Sequence, residues 1–241
     1  MDSKRRTWDS GDVLIERYAQ YAEWFESGQH VLDLRCGNGE FLQLLSTRGA
    51  IGLGLDDDES SLATLGHKGL TAQQGTPLEF LAVHPGEFDG IFAAHVIEHF
   101  DPNRFISLIN LAVKALRPRG RLLIVSTNPR NLSAQLETAW NDLEHVRFYG
   151  PDIVRWVARD AGLKVIDVGE NQRFLTDPRS RGQVGRLNPA LPAGSRKVRL
   201  RTRLKQRLSE WLTPISIRER IKATEDVIFY PWAEYYVTGI R

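Results

Sequence analysis

Two groups of side chains in this sequence have the types and spacing to do chemistry. The first is Asp33-Leu34-Arg35-Cys36-Gly37-Asn38-Gly39, completed by Asp56-Asp57-Asp58 at the end of the next apolar run. Glycine at 37 and 39 permits positive φ in a tight turn and lets a ligand approach the backbone. A helix opening at Glu40 leaves free N–H groups at its start. An acid at the end of a second strand can accept hydrogen bonds from both hydroxyls of a ribose. Asp33 and the acidic cluster repel phosphate, and no Lys-Ser/Thr pair follows the glycines as in a phosphate-binding P-loop. A cationic nucleoside therefore suits this cradle better than a dinucleotide. The second group is His95, Glu98, His99 and His145. Histidine titrates near neutrality and can take a proton from an attacking group, which makes His99 and His145 the candidate catalytic bases. His95-Val96-Ile97-Glu98-His99 also matches the inverted zinc-protease spacing. That motif needs both histidines on one helical face. Here the first ends an apolar run and Asp101-Pro102 restarts a helix, so the protease reading is rejected. A metal on His95, Glu98 and His99 is an alternative. The reading taken has no metal: His95 lines the ligand pocket, and Glu98 or His99 fixes the adjoining loop.

These residues need elements to position them. Val31-Leu32-Asp33-Leu34 reads as a strand buried on both faces. Glu40 to Leu45 continues as a helix and Ala50 to Leu55 as a second strand. A short helix over 59–66 leads to a weak strand over 70–74. Thr76 then stands where a base edge could be bonded, and Pro77 starts the next helix. Phe88 to His95 is the fourth strand. Asp101 caps a helix through Leu116, Arg117-Pro118-Arg119-Gly120 reads as a turn, and Arg121 to Thr127 is the fifth strand. Residues 131–149 are expected to form a loop or lid carrying Trp140, His145, Arg147, Phe148 and Tyr149. A helix over 151–162 is predicted with Ile153, Val154, Trp156, Val157 and Ala161 on one face. A sixth strand starts at Lys164, and Glu234 to Arg241 closes the chain as another. An amphipathic helix over 12–27 is placed on the ligand site or the sheet edge. Alternation of this kind signals a parallel α/β sheet.

Composition bounds the remaining choices. The chain has 241 residues, is 41% hydrophobic and carries a formal net charge of +2. That is enough for one good-sized core, and the whole molecule is not a polyelectrolyte. The lone Cys36 excludes an intramolecular disulfide and is expected to pack as a small side chain. No apolar run reaches about 18 residues and no leader pattern opens the chain, so a soluble, cytoplasmic protein is expected. One stretch is unbalanced. Between Asp177 and Glu210 there is no acidic residue, while arginines and lysines recur from Arg179 to Arg207. Leu200, Leu204, Leu208, Trp211 and Leu212 recur partly at helical spacing. A helix over 196–212 with a basic face would suit an anionic membrane surface or an acidic glycan. A solvated helix packed on the domain edge is the simpler alternative.

Asp33 to Gly39 together with Asp56 resembles the first two motifs of the class I S-adenosylmethionine-dependent methyltransferases. The resemblance implies a Rossmann-like, seven-stranded sheet with helices on both faces, its last strand antiparallel beside the fifth. The chain is read as an N-terminal helix (1–27), a methyltransferase core (28–177), a basic helical insertion (178–232) and the last strand (233–241). The resemblance implies S-adenosylmethionine as cofactor, with Asp33, Arg35, Cys36, Gly37, Gly39, Asp56, Asp57, Thr76, Pro77 and His95 around it. Arg35 stands where the family has a glycine, and Thr76 where it often has an acid. The Arg35 side chain is expected to point away from the sulfonium, and its backbone to hold the turn if φ there is negative. Gly90 to Phe100, Thr127 to Leu132, and His145-Val146-Arg147 with Pro151 resemble methyltransferases of O-antigen and other surface-polysaccharide clusters. The His95 to Phe100 stretch is also similar to ubiquinone-biosynthesis O-methyltransferases. The expected activity is O-methylation of a saccharide or lipid-linked glycan. A quinone precursor or other small molecule, and a scaffold with a degenerate site, are the alternatives. Thr127-Asn128-Pro129 lacks the Pro-Pro-aromatic ending of many base N-methylating enzymes, so a nucleic-acid acceptor is not expected. Oligomeric state is left open.

Overall fold

The computed structural model describes residues 11–131, 142–171 and 234–241. Trp140, Leu132 and the basic stretch with its expected membrane-facing helix lie outside the described residues. Chain order runs α1 (Gly11–Ala22), β1 (His30–Leu34), α2 (Glu40–Thr47), β2 (Ile51–Asp56), α3 (Glu59–His67), β3 (Ala72–Gln74) and α4 (Pro77–Ala82). It continues with β4 (Phe88–Ala94), a short 3-10 turn (Ile97–His99), α5 (Pro102–Ala115), β5 (Leu116–Thr127), α6 (Pro151–Asp160), β6 (Lys164–Glu170) and β7 (Glu234–Ile240). The seven strands lie in the order β3-β2-β1-β4-β5-β7-β6. β7 runs antiparallel to β5 and β6, and β1 to β5 pair in parallel. The expected sheet, with its inserted antiparallel last strand, is thus the observed one.

Alternate strand residues face opposite sides, so the sheet has two apolar faces. Leu32, Leu34, Ile91 and Ile124 pack in one cluster with Phe105, Leu108 and Val154 of α5 and α6. Val31, Phe92, Leu123 and Val125 pack in the other with Tyr21, Phe25 and Phe41. Phe41 stacks on Phe92 with centroids 3.7 Å apart. Burying each such ring is worth about 1.5–3 kcal/mol. The strand order reverses between β1 and β4. Ligands of open α/β sheets bind outside the carboxyl ends of strands at such a point, and both chemical groups lie there.

Two expectations are corrected. Arg117 to Gly120 is not a turn but a bulge inside β5: Leu116 pairs with Phe88 and Arg121 with Gly90. Arg119 takes φ +68 there. The distant chain end holds it in the sheet: Arg119 N donates to Arg241 O and Arg241 N to Gly120 O, both at 3.0 Å. On α6 the buried stripe is Val154, Val157 and Ala158, while Ile153 and Trp156 are exposed. At about 100° per residue the buried three span about 100° of the helix, and Ile153 and Trp156 lie to one side of that sector, so the buried face is narrower than expected.

Candidate active site

Three carboxyl groups converge on the glycine turn. Asp33, Glu40 and Asp56 are all buried. Burial, then the charges of Asp56 and Glu40, push the Asp33 carboxyl well above its ordinary range. Asp56 holds the turn itself: Oδ2 accepts from Gly37 N at 2.9 Å and Oδ1 from Asp58 N at 3.0 Å. Asp57 beside it is exposed. The two glycines have different duties. Gly37, at φ +53, has no atom within 4 Å of where a Cβ would stand, so its surface is open. Gly39, at φ +81, would put a Cβ 2.3 Å from Leu65 Cδ2; it is needed for packing α2 against α3. Cys36 is buried, and a Cβ on Gly54 would lie 2.6 Å from its sulfur. It packs, as expected.

At Arg35 the condition of a negative φ is not met. Its φ is +57, in the left-handed region where a side chain is disfavoured. The guanidinium turns to the segment before α6, where Nη2 donates to Glu144 Oε2 at 2.8 Å. Thr76 donates its hydroxyl to Glu79 Oε2 at 2.6 Å, and Pro77 is buried in the first turn of α4. The structure thus brings Asp33, Cys36, Gly37, Gly39 and Asp56 to one turn. Thr76 and Pro77 stand at the end of β3, one strand beyond Asp56.

The implied group fits these residues. S-adenosylmethionine carries an ammonium and a sulfonium, and three buried carboxyl groups beside an open glycine surface suit positive charge. Asp33 and Glu40 would face the cationic end, Gly37 would offer its open backbone, and Asp56 with Asp57 the ribose acceptors.

His95 does not simply line a pocket. It follows β4 at φ +53 and lies between two carboxylates. Its Nε2 meets Glu234 Oε1, and its Nδ1 lies 3.4 Å from Glu98 Oε1. Arg17 of α1 also pairs with Glu234. Burial opposes an imidazolium here, but the Glu234 charge and the bonds to Glu234 and Glu98 outweigh it and push His95 up to about 9. The 2.9 Å approach of Arg17 to His95 Nε2 is then two donors crowding one carboxylate. Burial alone would raise Glu98, yet His95 and the Thr127 N–H pull it down to about 2. Glu98 Oε1 accepts from Ser126 Oγ at 2.8 Å and Thr127 N at 3.0 Å. A His95–Glu98–His99 metal site is therefore disfavoured, because two of its three ligands already serve an ion-pair network.

His99 belongs to a different cluster. The Glu98 carbonyl accepts from Val146 N at 2.9 Å and Arg147 N at 3.2 Å, which pins the segment before α6 onto the 3-10 turn. Tyr149 anchors that segment further, stacking on Phe105 and donating to Phe100 O at 2.8 Å. His145 is thereby carried to His99, with ring centroids 5.0 Å apart. Glu144 Oε2 lies 3.8 Å from His99 Nδ1, and Asp142 Oδ2 lies 3.7 Å from His145 Nε2. Burial and the Arg35 charge hold His99 down at about 4, so it is neutral at physiological pH. Arg35 reaches Glu144, and Glu144 borders His99, so the two candidate bases sit one ion pair from the glycine turn. Sequence reasoning missed Arg17, Glu40, Asp142, Glu144 and Glu234. Only Glu40 carried a local signal, directly after the glycines.

Comparisons with known proteins agree with this fold. The pattern of the methyltransferase-domain family matches residues 3–168. A ubiquinone biosynthesis O-methyltransferase of Coxiella burnetii is 31% identical over 159 residues, 58% of this chain and 66% of the relative. The match thus spans just under two thirds of that relative's length. One of the same name from Aromatoleum aromaticum is 27% identical over 176 residues, 65% of this chain and 73% of the relative. The crystal structure of an S-adenosylmethionine-dependent methyltransferase from Archaeoglobus fulgidus superposes with a TM-score of 0.72 at 20% identity, covering 96% of this chain and 95% of that one. Sequence pattern, strand order and glycine turn place the chain in one family: it belongs to the class I S-adenosylmethionine-dependent methyltransferases.

Proposed function

We propose that this protein methylates a hydroxyl oxygen of a small-molecule acceptor, of the phenolic class found in quinone precursors. The observation that carries the reading is the His99–His145 pair, joined to the glycine turn through Glu144 and Arg35. Two relatives named as ubiquinone biosynthesis O-methyltransferases support a phenolic acceptor over the saccharide expected from the surface-polysaccharide resemblance. The open Gly37 surface and the convergent carboxyl groups favour an enzyme over a scaffold.

S-adenosylmethionine supplies the methyl group as a sulfonium that an oxygen nucleophile displaces in line. The chain's own residues align the acceptor and remove its proton. An imidazole held at about 4 is a weak proton acceptor for a phenol, whose pKa is about 10. His145 is accordingly assigned the proton, with neutral His99 as its neighbour. Arg35 and Glu144 hold the loop that carries His145.

The test pairs the purified protein with S-adenosylmethionine and, separately, a catechol, a saccharide and an amine. Release of S-adenosylhomocysteine with the catechol is expected, falling about 10²-fold or more in His145→Ala. Turnover of the saccharide or the amine in preference to the catechol would overturn the proposal.

A further inference from the structure

We infer that His99, Asp142 and His145 form a divalent-cation site of the zinc type, beside the acceptor end of the cofactor cleft. One donor atom from each residue lies within 4.8 Å of the other two. Two imidazoles and one carboxylate are the donors of catalytic zinc centres, which keep a fourth position open. The Nδ1 of His99 is buried without a hydrogen-bond partner among the described residues, and such an atom normally has one. A ligand bond would satisfy it.

The surroundings are compatible in charge. Arg35 brings a cation to the cluster, but its guanidinium is spent on Glu144. That leaves Asp142 as the carboxylate nearest His145. His99 is fixed by the turn after β4, while Asp142 and His145 belong to the segment pinned on Glu98 O. Tetrahedral ligands at zinc stand about 3.3 Å apart, so the donors must close by at most about 1.5 Å. Side-chain rotation of His145 and Asp142 supplies a shift of that size. The site spans two segments, so a bound ion would clamp the loop onto the 3-10 turn.

The role of the ion deepens the reading above and rests on it. The open position would take the acceptor hydroxyl and favour its ionised form, releasing the proton to water. With the ion bound, His145 serves as a ligand, and the proton leaves to water instead of to its ring.

The experiment titrates the full chain with cobalt(II) chloride and follows visible absorption. Wild type is expected to bind one equivalent and to show the intense band of a four-coordinate ion. Asp142→Asn and His145→Ala should each raise the dissociation constant at least tenfold, and His84→Ala should not. Circular dichroism and S-adenosylhomocysteine binding confirm that each variant is folded. Absence of the band, or a band unchanged in both site variants, overturns the inference. S-adenosylhomocysteine binding and catechol methylation with or without a chelator then report separately on the proposed function. Activity that survives chelation leaves that function standing without the ion.

Discussion

A side chain at φ +57 costs the turn about 1–2 kcal/mol relative to a glycine, and Arg35 takes that conformation. Its half-buried pair with Glu144 returns about 0.2–1 kcal/mol, so the residue is a net local burden. Arg35→Gly is therefore expected to keep or raise the melting temperature and to retain S-adenosylhomocysteine binding by calorimetry. Abolished binding would make the guanidinium a ligand contact. Asp56 is the opposite case, since its carboxylate secures Gly37 N and Asp58 N. Asp56→Ala should weaken S-adenosylhomocysteine binding by about 1.5–3 kcal/mol, as for a charged hydrogen bond; unchanged affinity would remove it from the site. Both positions were visible in the sequence, because glycines and acids at a strand end have local causes. The sign of φ at 35 was not visible, because what draws the arginine over is Glu144, distant in sequence.

Among the elements, the join of α1, β4 and β7 carries the strongest pH dependence. His95 is pushed up to about 9 from 6.5, so its contribution is complete below 6.5 and disappears as pH rises through 9. Glu98 is pulled down to about 2 from 4.5, so its contribution is complete above 4.5 and disappears as pH falls through 2. The network is worth most between these limits. Urea titrations of wild type should show stability falling from pH 6.5 to 9, with a shallower fall in His95→Asn. Asparagine tolerates the φ of +53 that position 95 requires. Equal slopes would remove His95 from the network. Element boundaries were legible where caps are local: Asp101 accepts from Asn103 N and Arg104 N as its place before Pro102 foretold. The bulge at Arg117 to Gly120 was illegible, since Arg241 at the chain end makes it.

Across the whole molecule, the parallel sheet followed from the βα alternation, and the antiparallel place of the last strand from the family resemblance. The partners of the site did not follow. Arg17, Asp142, Glu144 and Glu234 reach it only through the fold, and no spacing announces such residues. One feature of that fold reaches beyond catalysis. Glu170 and Tyr235 are paired across β6 and β7, and the Asn171 side chain donates to Glu234 Oε2 at 3.1 Å and to Arg17 O at 3.2 Å. β6 and β7 are thus the two arms of a hairpin, and its mouth is closed on α1. The two arms are registered against each other from Lys164 and Ile240 to Glu170 and Tyr235. Closing a loop costs only about 0.6 kcal/mol more for each doubling of its length. The sheet and the cofactor turn therefore keep their register whatever length of chain joins the two arms.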